Sequence, residues 1–527
     1  MTATAASSRT ATSPVDAHPG PPPWRAAPQP RRRAIRWIER SHLATRITVI
    51  GTLAWIVWLY LDVWRRHDRF GSFDYDLGLH TQYLWLLSHG RSFSTITGVP
   101  AFGHNVTLGY LLFIPFGWLG AGAQFLDLAQ TIALGAAVIP IYRLARRRFA
   151  SDWTATLLAA VFLLNPVVLN LVFETFHPEV MAVAPLLGAV DAAEDKRWGR
   201  FAWLIAFALL WKVDIALFVF MLGFRVWRRH SRRAGIATVV AGFMWFVLCT
   251  SVIIPHFSNG HSVFGPLYGD LGDTPLEVAK TTVTDPGRVI DRLDESEPDR
   301  YARDLLTPYG FVPLLAPGSV VLAAPQYAVD LLSYADFTRN FRIGAHYQAL
   351  PTVALMLGLL DGLARLRRRR PQTWQPVVTA LCACTLATSV AWSALPAGVQ
   401  RPLAWSANSQ SKYPLRHTIL DAIEDDAGVS VPYNLVPHLA GREYVYTFPN
   451  PWRKSYYGVP GTPAARPSDV RFLVIDRATL SAESTVVARC VTESRAFERL
   501  VDGGALGIEL WQRIEGHDED IVCAEVP

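Results

Sequence analysis

Apolar stretches of about twenty residues recur along this chain with arginine clusters at their ends, and no other feature constrains its fold as much. A helix of about 20 apolar residues spans a hydrocarbon core of about 30 Å. In lipid, such a segment must satisfy every backbone N–H and C=O internally. Composition agrees with that reading. Of the 527 residues 51% are hydrophobic and 18% charged, where soluble domains carry roughly 25% charged residues. The net charge of +6 sits on arginines beside apolar runs, the pattern of a positive-inside bias. No nucleic-acid motif accompanies it, so no nucleic-acid partner is expected.

Letting the arginine clusters mark cytoplasmic ends gives a topology. Residues 1–33 hold Pro21-Pro22-Pro23 and Arg31-Arg32-Arg33 but no apolar signal core, which predicts a disordered, basic cytoplasmic tail. A first helix from about Ile47 to Val63 leads out to a polar loop, 64–105. Residues 106–120 are apolar but short and carry Pro115, Gly117 and Gly120, so they are expected to be re-entrant or interfacial. A helix at 125–144 ends inside at Arg143 and Arg146 to Arg148. Another at 154–172 returns and delivers Glu174, His177 and Glu179 outside; a short one, 180–193, comes back. The run 201–227 is interrupted by Lys212 and Asp214. A short hairpin there keeps both residues outside and the following arginines inside. A helix at 235–254, a polar outside segment at 256–303 and a proline-broken run at 304–332 come next. Helices at 349–364 and 376–395 complete the set.

The expected architecture is an all-α polytopic membrane domain over 34–396, with roughly nine to twelve transmembrane or re-entrant segments. Residues 397–527 are mixed in composition, with strand-like runs such as Arg471 to Ile475. They are expected to form a small α/β or α+β domain outside the membrane. Cys490 and Cys523 both fall there and are a candidate disulfide, two unpaired thiols being the alternative.

The densest cluster of chemistry is Asp74-Tyr-Asp76-Leu-Gly-Leu-His80-Thr-Gln82-Tyr-Leu-Trp85. An acid there can cap a short helix lying on the membrane, or serve as a general base or cation ligand at the membrane–water boundary. The topology places His104, Glu174, His177, Glu179, Lys212, Asp214 and His346 on the same side. Ionisable groups beside apolar segments are costly and tend to face a cavity. Each alone is equally an ordinary hydrogen-bonding group, and Lys212 and Asp214 can neutralise one another at a hairpin tip.

Asp76 to Trp85, Gly103-His104, Phe176-His177-Pro178-Glu179 and Lys212-Val-Asp214 occur in an order that resembles an uncharacterised membrane family, domain of unknown function twenty seventy-nine. Pro437 to Arg442 and Tyr446 to Pro449 fit the same resemblance, which covers roughly 70–526. The family often has a second acid just before the glutamine, where this chain has Thr81. The family in turn is similar to the GT-C glycosyltransferases, which act on polyprenyl-phosphate-linked sugars and carry an acid in the first outside loop.

The resemblance implies a glycosyltransferase in the inner (plasma) membrane, N-terminus cytoplasmic and C-terminal domain outside. It would move sugar from a polyprenyl-phosphate donor to a glycan, lipid or protein acceptor at the outer face. Asp76 is then the expected general base and Asp74 its assistant. His80, Gln82, His104, His177, Glu179, Lys212, Asp214 and His346 are expected to bind substrate. A divalent cation would stabilise a departing phosphate, with Asp74, Asp76 and His177 as its candidate ligands. A transporter or lipid flippase is the rival reading, since broken helices and intramembrane charges also mark transport sites. A non-catalytic scaffold for envelope assembly is a third.

Overall fold

The structure, a computed structural model, describes residues 2, 43–258, 268–333, 346–393, 395, 412–453, 466–517 and 521–523. The expected tail at 1–33 and the expected boundary at 396/397 lie outside the described residues. Among those described, five helices are long and apolar enough to cross a membrane. They are Leu43–Asp68, Ala123–Phe149, Arg232–Phe257, His346–Arg369 and Trp374–Trp392, and a bent pair makes a sixth if it counts as one span.

α1 (Leu43–Asp68) has 26 residues and so reaches about 39 Å, enough to span with some tilt. The second span is α3 (Ala123–Ala136) running into α4 (Val138–Phe149). The run at 154–172 is not one straight helix. α5 (Asp152–Leu163) and α6 (Pro166–Phe173) meet at 47°. Pro166 lacks the N–H that would continue the ladder, and the Asn165 side chain caps α6 by accepting from Val167 N. The carbonyls freed at the break find new donors: Trp55 Nε1 donates to Leu163 O at 2.9 Å, and Ser389 Oγ donates to Leu164 O.

α7 (Val183–Glu194) follows a 3-10 turn. The run at 201–227 is broken as its charges predict, into α8 (Trp198–Leu209) and α9 (Ile215–Arg229), with Lys212 and Asp214 in the break. α10 (Arg232–Leu248) continues through a π turn to Phe257. The proline-rich run at 304–332 is a series of short turns and the helix Ala324–Leu332. α11 (Ala349–Arg369) is buried on all sides from Ala349 to Ala364, which suits a helix apolar all round at the centre of a bundle. α12 (Trp374–Trp392) is the last of the bundle.

The C-terminal domain is a five-stranded mixed sheet in the order β2-β1-β3-β5-β4. Its strands are β1 (Val429–Val431), β2 (Val445–Thr447), β3 (Phe472–Asp476), β4 (Phe497–Asp502) and β5 (Ile508–Arg513). β1 pairs in parallel with β2 and β3, and β5 runs antiparallel to β3 and β4. β3 is buried along its whole length. Alternate residues of a strand point to opposite faces, and its apolar residues divide accordingly. Leu473 and Ile475 join Val487 and Val491 of the helix Ala482–Glu493, while Phe472 and Val474 join the main core. Cys490 and Cys523 are joined as a disulfide.

Candidate active site in the first loop

After α1 the chain turns through Gly71 and forms a single π turn, Asp74–Gly78, before α2 (Leu79–Ser88). Gly78 N–H donates to Phe73 O at 3.1 Å, five residues back. Gly78 itself is the N-cap residue of α2, and no side chain caps that helix. The acid that sequence pattern assigns to capping is therefore free for other partners. A side chain at Gly78 would come within 2.9 Å of Val436 in the C-terminal domain, so glycine allows the two segments to touch. The side chain of Asp74 lies outside the described residues.

Asp76 accepts a hydrogen bond from His177 Nε2 at 3.2 Å. His177 stacks face to face on His346, ring centres 3.8 Å apart and planes 10° apart. His346 Nε2 lies 3.7 Å from Glu179 Oε1, and its Nδ1 lies 3.6 Å from Glu174 Oε2. Lys212 Nζ donates to Glu179 Oε1 at 2.8 Å, sits 3.6 Å from Asp214 Oδ2, and faces the Tyr347 ring at 5.6 Å. The structure thus brings Asp76, Glu174, His177, Glu179, Lys212, Asp214 and His346 into one continuous cluster. Of these, the Asp76 and Asp214 carboxylates are the more open, about 30% exposed, and Glu179 and His177 are buried at 5%.

Burial alone would push the His177 imidazole down. The hydrogen bond and charge of Asp76, with Glu174 and Glu179, outweigh it and hold the ring up at about 9. Burial raises Glu174 to about 8, only partly offset by His177. Burial works against the Lys212 ammonium too, but Glu179 and Asp214 hold its pKa above the usual lysine range. The cluster therefore keeps two cations, His177 and Lys212, interleaved with carboxylates.

The remaining sequence candidates stand apart from this cluster. His80 lies one layer behind, its ring 5.8 Å from that of His177, and is hydrogen-bonded to the Tyr110 hydroxyl. His104 packs against Tyr83 at 6.4 Å. Gln82 is fully buried and spent on structure. Its Nε2 donates to Thr95 Oγ1 and Glu443 O, both at 3.0 Å, and its Oε1 accepts from Ser94 at 2.6 Å. Thr95 in turn donates to Val445 O and accepts from Val445 N. With the Arg91–Glu443 ion pair, these contacts dock the sheet onto the first loop. The stacked rings of His67 and His438 at 4.0 Å and the Tyr413 hydroxyl donating to Asp68 at 2.6 Å add to that seam.

Sequence reasoning missed the group that holds the cluster from behind. Gln130 of α3 donates through Nε2 to Leu171 O at 2.8 Å and to Thr175 O, and accepts from His177 N–H at 2.6 Å. Asp127, Gln130 and Thr131 are all buried on the same face of α3. Their i, i+3, i+4 spacing was the available signal, because polar groups in a membrane helix turn toward protein.

One ligand atom each of Asp76, His177 and His346 lie within 4.8 Å of one another. A carboxylate with two imidazoles suits a borderline divalent cation such as zinc. Bonds of about 2.1 Å to a common centre would need the three groups to draw closer than they stand here. Thr81, at the position of the family's second acid, is buried and lies outside this triad.

Fold and site together define a polytopic membrane protein of GT-C-like fold, with a buried ionisable cluster under its first loop and a small C-terminal mixed-sheet domain. The crystal structure of ArnT from Cupriavidus metallidurans bound to undecaprenyl phosphate has a similar overall fold. Its TM-score is 0.51 at 12% identity, over 89% of this chain and 99% of that one. The cryo-EM structure of the arabinofuranosyltransferase AftD from Mycobacteria aligns over 91% of this chain and 40% of that one, at 15% identity and a TM-score of 0.42. No curated protein matches. Residues 66–463 match the predicted membrane protein family DUF2079, and the chain belongs to that family.

Proposed function

We propose that this protein is a membrane glycosyltransferase that moves a sugar from a polyprenyl-phosphate donor to an acceptor hydroxyl at the outer face of the inner membrane. The observation that carries the reading is the continuous line from Asp76 through His177, His346 and Glu179 to Lys212. It offers a partly open carboxylate at one end and a buried ammonium at the other. The ArnT-like fold supports the donor class, since the ArnT structure holds undecaprenyl phosphate.

In this reading Asp76 accepts the proton of the acceptor hydroxyl as its oxygen bonds to the anomeric carbon. The bond from that carbon to the donor phosphate breaks, and its electron pair leaves with the phosphate. Lys212 neutralises the charge that develops there. His177 orients Asp76 through their hydrogen bond. A divalent cation held by Asp76, His177 and His346 would take the place of the His177 proton and its bond to Asp76, and would supply further charge for the departing phosphate. A narrow crevice, with room for about one water, adjoins Asp214 and Gln326 and is otherwise lined by apolar residues such as Leu217, Phe218, Leu322 and Val329.

The orientation belongs to the same proposal: N-terminus in the cytoplasm, 34–396 as membrane domain, and 397–527 outside, where the Cys490–Cys523 disulfide is chemically at home. The test is transfer of radiolabelled sugar from polyprenyl-phosphate donors to membrane acceptors, in wild-type and Asp76→Asn membranes at matched protein levels. Transfer that vanishes in the variant is the expected result. Transfer that persists there removes Asp76 from the mechanism, and none in wild type across a broad donor panel favours transport or scaffolding.

A further inference from the structure

The turn that delivers His177 is strained. Thr175 has a φ of +72°, a region that a β-branched residue rarely enters. Such a backbone persists only where its surroundings over-determine it. Here Arg66 donates to Phe173 O, His177 Nδ1 lies 3.3 Å from Thr175 O, and one buried side chain spans the turn. Gln130, 1% exposed on α3, closes the turn with both amide hydrogens and its carbonyl.

We infer that Gln130 is a positioning residue for the candidate centre, fixing the backbone of His177 so that its ring meets Asp76 and stacks on His346. The inference rests on the glycosyltransferase reading for its catalytic consequence, though not for the clamp itself. No other side chain of similar reach supplies this pattern, because two donors and an acceptor on one planar group belong to the carboxamide alone. Leucine keeps the volume and loses all three bonds. Ionised glutamate keeps the acceptor and loses both donors. Asparagine is one methylene short.

The clamp is tested by hydrogen exchange on the full-length protein in lipid nanodiscs. In Gln130→Leu the His177 amide is expected to exchange at least about tenfold faster, with α6 and α7 protected as before. In the transfer assay the same variant is expected to lose about 100-fold in kcat, the scale of a displacement near 1 Å at a reacting group, with donor KM little changed. Gln130→Glu serves where the leucine variant fails to fold. Ionised, it holds neither Leu171 O nor Thr175 O, so the turn opens and exchange at His177 should rise as in the leucine variant.

Unchanged exchange at His177 in Gln130→Leu, or in Gln130→Glu should the leucine variant lose protection across the whole bundle, would overturn the clamp. A kcat equal to wild type would overturn the positioning role. Should wild type itself transfer no sugar, the glycosyltransferase reading fails while the exchange result still decides the clamp.

Discussion

Two ends of the same bundle bury charge in opposite ways. At the Asp76 end, four carboxylates (Asp76, Glu174, Glu179 and Asp214) share Lys212 and two stacked histidines, and Glu174 Oε2, Glu179 Oε2 and His346 Nδ1 make no hydrogen bond. At the other end, about 18 Å along α11 from its start by residue count, Asp361 is surrounded. Its Oδ2 accepts from Arg225 at 2.9 Å, Arg229 at 2.7 Å and Ser319 at 2.7 Å, and its Oδ1 pairs with Arg148 at 2.9 Å. Asp191, fully buried, pairs with Arg143 at 2.9 Å and Arg147 at 2.6 Å. The arginines that mark topology in the sequence thus also lock the helix ends together. A saturated carboxylate has nothing left to offer a ligand, whereas one with open valences can still take up a proton or a cation. Burial of charge therefore does not by itself tell the two ends apart; the excess of carboxylates over permanent cations at the Asp76 end does.

The contrast predicts opposite signatures. Asp76→Asn should reduce transfer by about 10³-fold, within the range for losing a general base, with thermal stability close to wild type. Asp361→Ala should do the reverse. Stranding three arginines should cost about 3–5 kcal/mol of stability, read as a fall in the thermal transition in detergent, with activity per folded molecule retained. A stable but inactive Asp361→Ala would break the comparison. Lys212→Met should weaken donor binding roughly 10- to 100-fold, the worth of a charge-assisted contact. Lys212→Arg should restore much of that, and an unchanged donor KM would place Lys212 among the structural pairs.

The smallest effect concerns a third arrangement, buried histidine kept neutral. Burial, then the neighbouring charges of His67 and His417, pushes His438 well below its ordinary value. Its contribution to docking is therefore intact above pH of about 6.5 and declines as the pH falls toward the depressed value, because only the undocked state takes up the proton. Exchange of the β1 and β2 amides should rise modestly at pH 5 relative to pH 7.5, and a His438→Phe variant should flatten that rise.

Much of this was legible in the sequence where a physical rule reaches from one residue to the next. The apolar runs, the arginine ends and the break at Lys212 and Asp214 follow from lipid solvation. The bend at Asn165-Pro166 was written in those two residues, although the surrounding run reads as one helix. The cluster was legible only as a side of the membrane: sequence put Asp76, His177, Lys212 and His346 on one face, but not His346 on top of His177. Gln82 shows the limit. Its place beside Asp76 suggests a ligand contact, yet its partners are Thr95 and Glu443, and no local pattern announces a contact 361 residues away. The strand order of the sheet was hidden for the same reason.

The seam between first loop and sheet bears on how such a protein can evolve. The strands nearest that seam, β1 and β2, fall inside the family match at 66–463, while β3, β4 and β5 lie beyond it. Because Gln82, Thr95 and Gly78 are fitted to Val436, Glu443 and Val445, the sheet is not a removable appendage. The family match spans both sides of that seam. Substitution costs least at the outer edge strand, β4, whose side chains are mostly exposed and far from the seam.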